Sequence, residues 1–221
     1  MNITRYILSI FVLNMFLLVP GCKDKVTDVP ASNTNAIYGT YPISSFLPLA
    51  PGNQWIYSNH SMTESSTILI SIKDSTKLSD QTLAFHFTEG VLTNLPDTTL
   101  QATEYYSCQN GTIYQGYTAS NYVIPLLASP IKSGHVWTYP NGTNGTVTAT
   151  IISVTSGYYN NQSIDTIVAV RHYHQDNTTG TMDDTIWFAR TIGILKKSTM
   201  SQVSTDTSYS LQQLISYTFP R

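Results

Sequence analysis

The chain has 221 residues and a formal net charge of −2, and only 11% of its residues are charged. Serine (24), threonine (31) and asparagine (14) supply most of the polar side chains instead. This balance excludes a basic nucleic-acid-binding protein, because binding to phosphates requires a basic patch. It also excludes a disordered chain, since 15 Tyr, 7 Phe and 3 Trp provide large groups to bury.

Residues 1–21 are typical of a lipoprotein signal peptide. Arg5 precedes an apolar run from Ile7 to Val19, which is shorter than the ~20 residues that span a bilayer as a helix. The next segment, Leu18-Val19-Pro20-Gly21-Cys22, resembles the lipobox of bacterial lipoproteins, with proline at a less usual position. In that family the cysteine is acylated on its thiol and, after cleavage, on its new amine. The alternative is an ordinary secretory signal with an unrelated cysteine.

The lipobox resemblance implies a membrane anchor at Cys22. Each buried methylene contributes ~0.8 kcal/mol, so three acyl chains hold a protein at the membrane permanently. Lys23 follows the cysteine, whereas an aspartate there is the common retention signal for the inner membrane. The resemblance therefore favours the outer membrane, with the domain on the periplasmic or the cell-surface side. The remaining cysteine, Cys108, is interpreted as an unpaired residue of a strand or of the core.

The rest of the chain predicts a tether followed by an all-β domain. Residues 22–44 are polar and are predicted to be the lipidated cysteine and a flexible tether, and residues 45–221 the β-domain. From Phe46 onward, alternating or β-branched runs are separated by turn signals such as Asn110-Gly111. No stretch of this domain has a convincing helical period. We therefore expect antiparallel meanders.

One motif occurs twice in the domain. Pro48, Gly52, Trp55 and Tyr57 recur, with a shift of 82 residues, as Pro130, Gly134, Trp137 and Tyr139. The block Ser66–Lys73 aligns with Thr148–Thr155 at the same shift. We predict two tandem pseudo-repeats, 46–125 and 127–219, of about five strands each, with 123–127 crossing between them. They would form a sandwich, a split barrel or a continuous curved sheet.

The opening segment Leu47-Pro48-Leu49-x-x-Gly52-Asn53-x-Trp55-x-Tyr57 resembles that of a group of uncharacterised Gram-negative bacterial lipoproteins. Their closing motif is similar to Trp187-Phe188-Ala189-x-x-x-Gly193-Ile194-Leu195-Lys196. In the common pattern a second glycine stands where this chain has Thr191. The resemblance implies a β-rich envelope domain and assigns no catalytic residue.

The polar side chains suggest two weak candidate sites. His172 and His174 lie two residues apart and so share a strand face, as a metal site requires, with His135, Asp176 or His86 as a third ligand. Strand histidines outside metal sites are commoner, and we predict no metal and no cofactor. The adjacent acids Asp183 and Asp184 are predicted to open a strand after the turn Thr179-Gly180, where they would point to opposite faces. We interpret them as part of a solvated turn rather than as a catalytic pair.

Tyrosines provide the candidate binding surface. A platform for stacking sugars is predicted from Tyr105, Tyr106, Tyr114, Tyr117, Tyr158 and Tyr159. Because no nucleophile elbow, phosphate loop or metalloprotease motif is present, we predict a non-catalytic, outer-membrane-anchored binding or structural domain. Its partners would be the membrane, through the lipid, and a glycan or an envelope protein. The alternatives are a lipid or lipoprotein carrier with an apolar cavity and, least favoured, an envelope hydrolase.

Overall fold

A computed structural model describes residues 41–78, 81–92, 98–118, 121–141, 145–176, 180–203 and 206–220. The predicted signal peptide and Cys22 therefore lie outside the described residues. A short 3-10 helix, η1 (Ile43–Phe46), precedes twelve β-strands. The strands are β1 (Gln54–Ser61), β2 (Ser65–Lys77), β3 (Leu83–Leu92), β4 (Thr98–Gln109), β5 (Thr112–Thr118), β6 (Asn121–Ala128), β7 (Val136–Asn141), β8 (Gly145–Tyr159), β9 (Gln162–Asp176), β10 (Gly180–Ala189), β11 (Gly193–Val203) and β12 (Asp206–Thr218).

All twelve strands form one antiparallel sheet, so the predicted all-β fold is confirmed. Their order is β6-β5-β4-β3-β2-β1-β12-β11-β10-β9-β8-β7, and the sheet curls into a nearly closed, barrel-like form. Of the three predicted arrangements, the structure thus has the continuous curved sheet. The described part of the chain contains no helix with the length and apolar character needed to cross a membrane.

The two junctions between the halves of the sheet differ. At one, the first and last strands pair along their length, with Trp55 opposite Tyr217. At the other, which we call the seam, the edge strands β6 and β7 face each other and side chains bridge them. Trp137 donates its indole N–H to the carbonyl of Pro125 at 3.0 Å, and Nε2 of His172 lies 3.1 Å from the carbonyl oxygen of Leu126.

Two predicted boundaries are wrong. Residues 123–127 belong to edge strand β6, where Pro125 is tolerated because no ladder partner needs its missing N–H. The crossing between the halves is therefore 129–135, and each half contributes six strands rather than about five. The domain also begins before residue 45, since Ile43 and Phe46 of η1 are fully buried.

The inner face of the curled sheet carries a single apolar core built from both halves. Alternate residues of β9, from Ile164 through Val168 to Val170, are at most 4% exposed. They belong to the same cluster as Trp55, which is 1% exposed. The η1 residues also belong to this cluster, so the N-terminal segment closes one end of the sheet, which we call the plugged end.

The turns that open β1 and β7 have the same geometry. Gly52 and Gly134 have φ values of 91° and 84°, a conformation that favours glycine. Gly52 N–H donates to Ile72 O, and Gly134 N–H donates to Ile151 O, both at 2.8 Å. The equivalent of Ile72 is therefore Ile151, a shift of 79 residues rather than 82. The ungapped alignment of the Ser66–Lys73 block is thus wrong by three residues. The duplication itself stays a prediction.

A continuous row of six aromatic rings runs through the paired junction. Neighbouring ring centroids are 4.2–6.1 Å apart along Tyr159, Tyr217, Phe219, Trp55, Phe87 and Tyr106. Trp55 also donates its indole N–H to Ile192 O at 2.7 Å. This close approach explains Gly193, because a Cβ there would lie 3.2 Å from Nε1 of Trp55.

Candidate functional site

Toward the end opposite η1, the inner face changes from apolar to polar, and we call this region the polar end. Glu104 stands opposite the buried Phe87, and Lys197 stands opposite the buried Ile186, so both project inward. The inward polar residues are Glu89, Glu104, Tyr139, His172, His174, Asp184 and Lys197. Unlike the inner face at the plugged end, this region carries both acidic and basic side chains.

His172 is the most fully engaged residue of the polar end. Its Nε2 lies 3.1 Å from the Leu126 carbonyl, which can only accept, so Nε2 carries the hydrogen. Nδ1 is then the acceptor for the Tyr139 hydroxyl at 3.1 Å. Burial lowers the pKa of His172 to about 4, and the positive charge of Lys197 acts in the same direction. The imidazole is therefore neutral at pH 7, and neither nitrogen is available as a base.

His174 shares the inward face with His172, as the spacing predicts. It is 4% exposed, and its Nδ1 donates to Thr146 O at 3.1 Å. Gly145 gives the ring its space, since a Cβ there would lie 2.3 Å from Cε1 of His174. The described residues hold no group of three His, Cys, Asp or Glu side chains placed to bind a metal. The side chain of Asp176 lies outside them.

Asp183 and Asp184 lie near the start of β10, as predicted, although they belong to the strand itself and not to a solvated turn. They do point to opposite faces, as predicted. Asp183 faces outward and receives two hydrogen bonds from Arg171, at 2.9 and 2.6 Å. Asp184 faces inward beside His172, and its Oδ1 is buried without a hydrogen-bond partner among the described residues. Its charge adds to the effect of burial in raising the pKa of Tyr139.

Two acids from the other half complete the polar end. Burial raises the pKa of Glu89, the negative charge of Glu104 raises it further, and Lys197 opposes the shift. Glu104 accepts a hydrogen bond from the Tyr106 hydroxyl at 2.8 Å. In the described part of the chain Lys197 forms no ion pair. The polar end thus combines carboxylates that affect one another's charge state with an ammonium group that has no ion pair among the described residues.

The structure does not assemble the predicted tyrosine platform. Tyr106 points inward and is 8% exposed, whereas Tyr105 lies on the outer face and stacks on His86. Tyr158 is 79% exposed at the end of β8, and its neighbour Tyr159 packs on Tyr217 instead. Tyr114 is half-buried on β5, and the side chain of Tyr117 lies outside the described residues.

The repeat residues have mainly structural roles. The carbonyl of Pro48 accepts a hydrogen bond from the Asn53 side chain at 2.8 Å. Tyr57 donates its hydroxyl to Ile194 O at 2.9 Å, and burial raises the pKa of Tyr57 well above its usual value. Trp187 is half-buried on the outer face, where Nζ of Lys196 lies 4.8 Å from its ring centroid. Pro130 follows β6 at the start of the crossing.

Cys108 is half-buried on β4, as predicted, but it is disulfide-bonded. Our interpretation of it as an unpaired cysteine is therefore wrong. The chain has one other cysteine, Cys22. A disulfide within the chain and a lipid thioether at Cys22 exclude each other, because both use the sulfur of Cys22.

Sequence reasoning missed Glu89, Glu104 and Lys197. A usable signal existed for one of them: Phe85, Phe87 and Glu89 occupy successive inward positions of β3, so the acid interrupts an apolar alternation. Lys197 could not be assigned in this way, because a bulge in the pairing of β10 and β11, at Trp187 and Phe188, changes the alternation.

Comparison with known proteins finds two solved structures of low similarity. One is a candidate lipoprotein from Parabacteroides distasonis, with 13% identity and a TM-score of 0.46, and the match covers 78% of this chain and 98% of that one. The other is a candidate exported protein with a YmcC-like fold from Bacteroides fragilis, with 10% identity, a TM-score of 0.48, and 79% and 99% coverage. At these values the likeness says nothing about function. No family model and no curated protein matches the chain.

Proposed function

We propose that the protein is an outer-membrane lipoprotein whose β-domain is a non-catalytic binding or structural module for a glycan or a protein of the cell envelope. Support for the location comes from the lipobox-like segment that ends at Cys22. Residues 23–40 separate this segment from the domain, whose first turn, η1, closes the plugged end. Support for binding comes from the polar end, where, among the described residues, Lys197 forms no ion pair and Oδ1 of Asp184 has no hydrogen-bond partner.

The inner face supports this proposal over a lipid carrier. At the plugged end the space is occupied by core side chains such as Phe46, Trp55 and Phe188, each at most 1% exposed. Toward the polar end, charged groups replace them. An acyl chain would therefore have to displace the core or to lie against Glu89 and Asp184, which costs free energy. A carrier would release lipid when the purified protein is extracted with organic solvent, and we expect none beyond the covalent anchor.

The anchor is tested by substituting the two cysteines separately. We expect the wild-type protein and Cys108→Ser in the outer-membrane fraction of a density gradient. Cys22→Ser should be absent from that fraction, and its mass should lack the lipid. Cys108→Ser is the matched control, because it removes the same chemical group and leaves Cys22 intact. A wild-type protein that stays in the soluble fraction would overturn the proposed location.

Counting thiols separates the lipid from the disulfide. Because a thioether at Cys22 and a Cys22–Cys108 disulfide cannot coexist, an acylated protein should react, once unfolded, with one equivalent of maleimide before any reduction. That result would also show that the disulfide of Cys108 is absent from the lipidated protein. If it reacts with none until a reductant is added, the disulfide persists and the thiol of Cys22 is not acylated.

A further inference from the structure

A polar cleft lies on the outside of the plugged end, away from the polar end. The turn between β8 and β9 reaches the last strand, where the hydroxyl of Tyr217 donates to the side chain of Gln162 at 2.9 Å. Together with the turn between β10 and β11, these elements enclose a cleft of about 200 Å³. This is below the roughly 300–1,000 Å³ of pockets for drug-sized ligands, so its occupant is about one ring in size.

The cleft is lined by a neutral, fixed pair of charges. Arg190 donates from Nε to Oδ1 of Asp165 at 2.8 Å and from Nη2 to Oδ2, a two-point contact that holds both groups in one plane. The ring of Tyr41 lies 4.2 Å from the guanidinium carbon on another side. The pair is neutral, and the described residues provide no other hydrogen-bond partner for its outer N–H groups and oxygen lone pairs. It therefore suits an uncharged ligand with neighbouring hydroxyls.

Thr191 is the unusual residue of this cleft. Its φ is 68°, a conformation that is costly for a β-branched residue. The turn is fixed by hydrogen bonds from Thr191 N–H to Ser45 O at 2.7 Å and from Ile192 N–H to Ala189 O at 3.2 Å. Glycine would fit this backbone without strain. Thr191 is exposed, lines the cleft, and its hydroxyl has no partner among the described residues.

We propose that this cleft binds a single sugar ring, as the terminal unit of an envelope glycan. The hydroxyls of the ring would bond to Arg190, Asp165 and Thr191, and the side chain of Tyr217 would form one wall of the site. The hydroxyl of Thr191 would position the sugar, and this contact would offset the backbone strain of the turn. The source of the glycan rests on the proposed envelope location, whereas binding of the ring itself does not.

The test is a titration of the purified full chain with methyl glycosides of hexoses and N-acetylhexosamines. Amide resonances of Ser163 and Thr191 should shift, and those of the polar end should not. Arg190→Gln should weaken binding at least about tenfold, as loss of a charged hydrogen-bonding group does. Arg171→Gln is the matched control: it removes a similar two-point contact, to Asp183, beside the ring of Tyr173 at 5.0 Å.

Two substitutions at Thr191 separate the hydroxyl from the fold. Thr191→Ser should keep the affinity for the glycoside. Thr191→Gly should lower that affinity about tenfold without lowering the melting temperature of the protein. If no glycoside shifts these amides, or if Arg190→Gln and Thr191→Gly bind as well as the wild type, the proposed site is wrong. Neither result depends on the fractionation of the Cys22 variant, so the two proposals can fail separately.

Discussion

The two Trp-x-Tyr pairs begin equivalent strands and have different surroundings. Trp55 is 1% exposed and Tyr57 is 3% exposed, at the junction where β1 pairs with β12. Trp137 and Tyr139 are half-buried at the seam, where β6 and β7 are joined through side chains. Both Trp residues donate to a carbonyl, at 2.7 and 3.0 Å. The same motif is thus a core element at a paired junction and a bridge at an unpaired one.

The largest difference should appear when each Trp is truncated. Trp55→Ala removes a buried ring from the middle of the aromatic row and should cost about 3–5 kcal/mol of unfolding free energy. Trp137→Ala removes a half-buried ring and one hydrogen bond and should cost about 1–2 kcal/mol. Urea denaturation of the purified protein measures both. Equal losses would show that the seam is packed as firmly as the paired junction.

The seam should also be the acid-sensitive junction. The pKa of His172 is about 4 in the fold against an ordinary 6.5, so the unfolded chain binds the proton first. The stabilising contribution of the neutral imidazole is complete above pH 6.5 and is lost as the pH falls toward 4. The loss amounts to about 3 kcal/mol. Glu89, with a raised pKa, acts in the opposite sense over part of this range.

Denaturant titrations at a series of pH values, compared with those of His172→Gln, isolate this contribution. Between pH 6.5 and 4, the unfolding free energy of the variant should decrease much less than that of the wild type. His60→Gln, at an exposed histidine of β1, should retain it. A His172→Gln protein with the wild-type pH dependence would contradict a neutral, buried His172.

The smallest difference concerns the two opening glycines. Gly52→Ala and Gly134→Ala should each cost about 1 kcal/mol or more, because both positions have positive φ. A Cβ at Gly52 would also lie 3.1 Å from Cγ of Pro220, whereas none of the neighbouring atoms described is within 4 Å of one at Gly134. Thermal melts should therefore place Gly52→Ala slightly below Gly134→Ala. Equal melting temperatures would mean that Pro220 moves aside without cost, and the reverse order would contradict this account of the two turns.

Local patterns predicted the strands and the opening turns, because these depend on neighbours in sequence. Alternation is a property of single strands, and the glycine of each turn follows from its backbone. The predicted tyrosine platform failed because Tyr105 and Tyr106, adjacent in sequence, point to opposite faces. The cleft brings residue 41 to residue 190 and residue 162 to residue 217. No local signal encodes such contacts, since they follow from the curl of the whole sheet.

The pairing of β1 with β12 has a consequence for the order of folding. Trp55 of β1 packs against Phe219 and stands opposite Tyr217 of β12, eleven strands later in chain order. Because residues so distant in sequence must meet, closing this junction costs more chain entropy than forming any hairpin of the sheet. The core around Trp55 therefore stays incomplete until β12 has joined β1. In the interval its apolar side chains are exposed, which makes this intermediate the one most prone to aggregation.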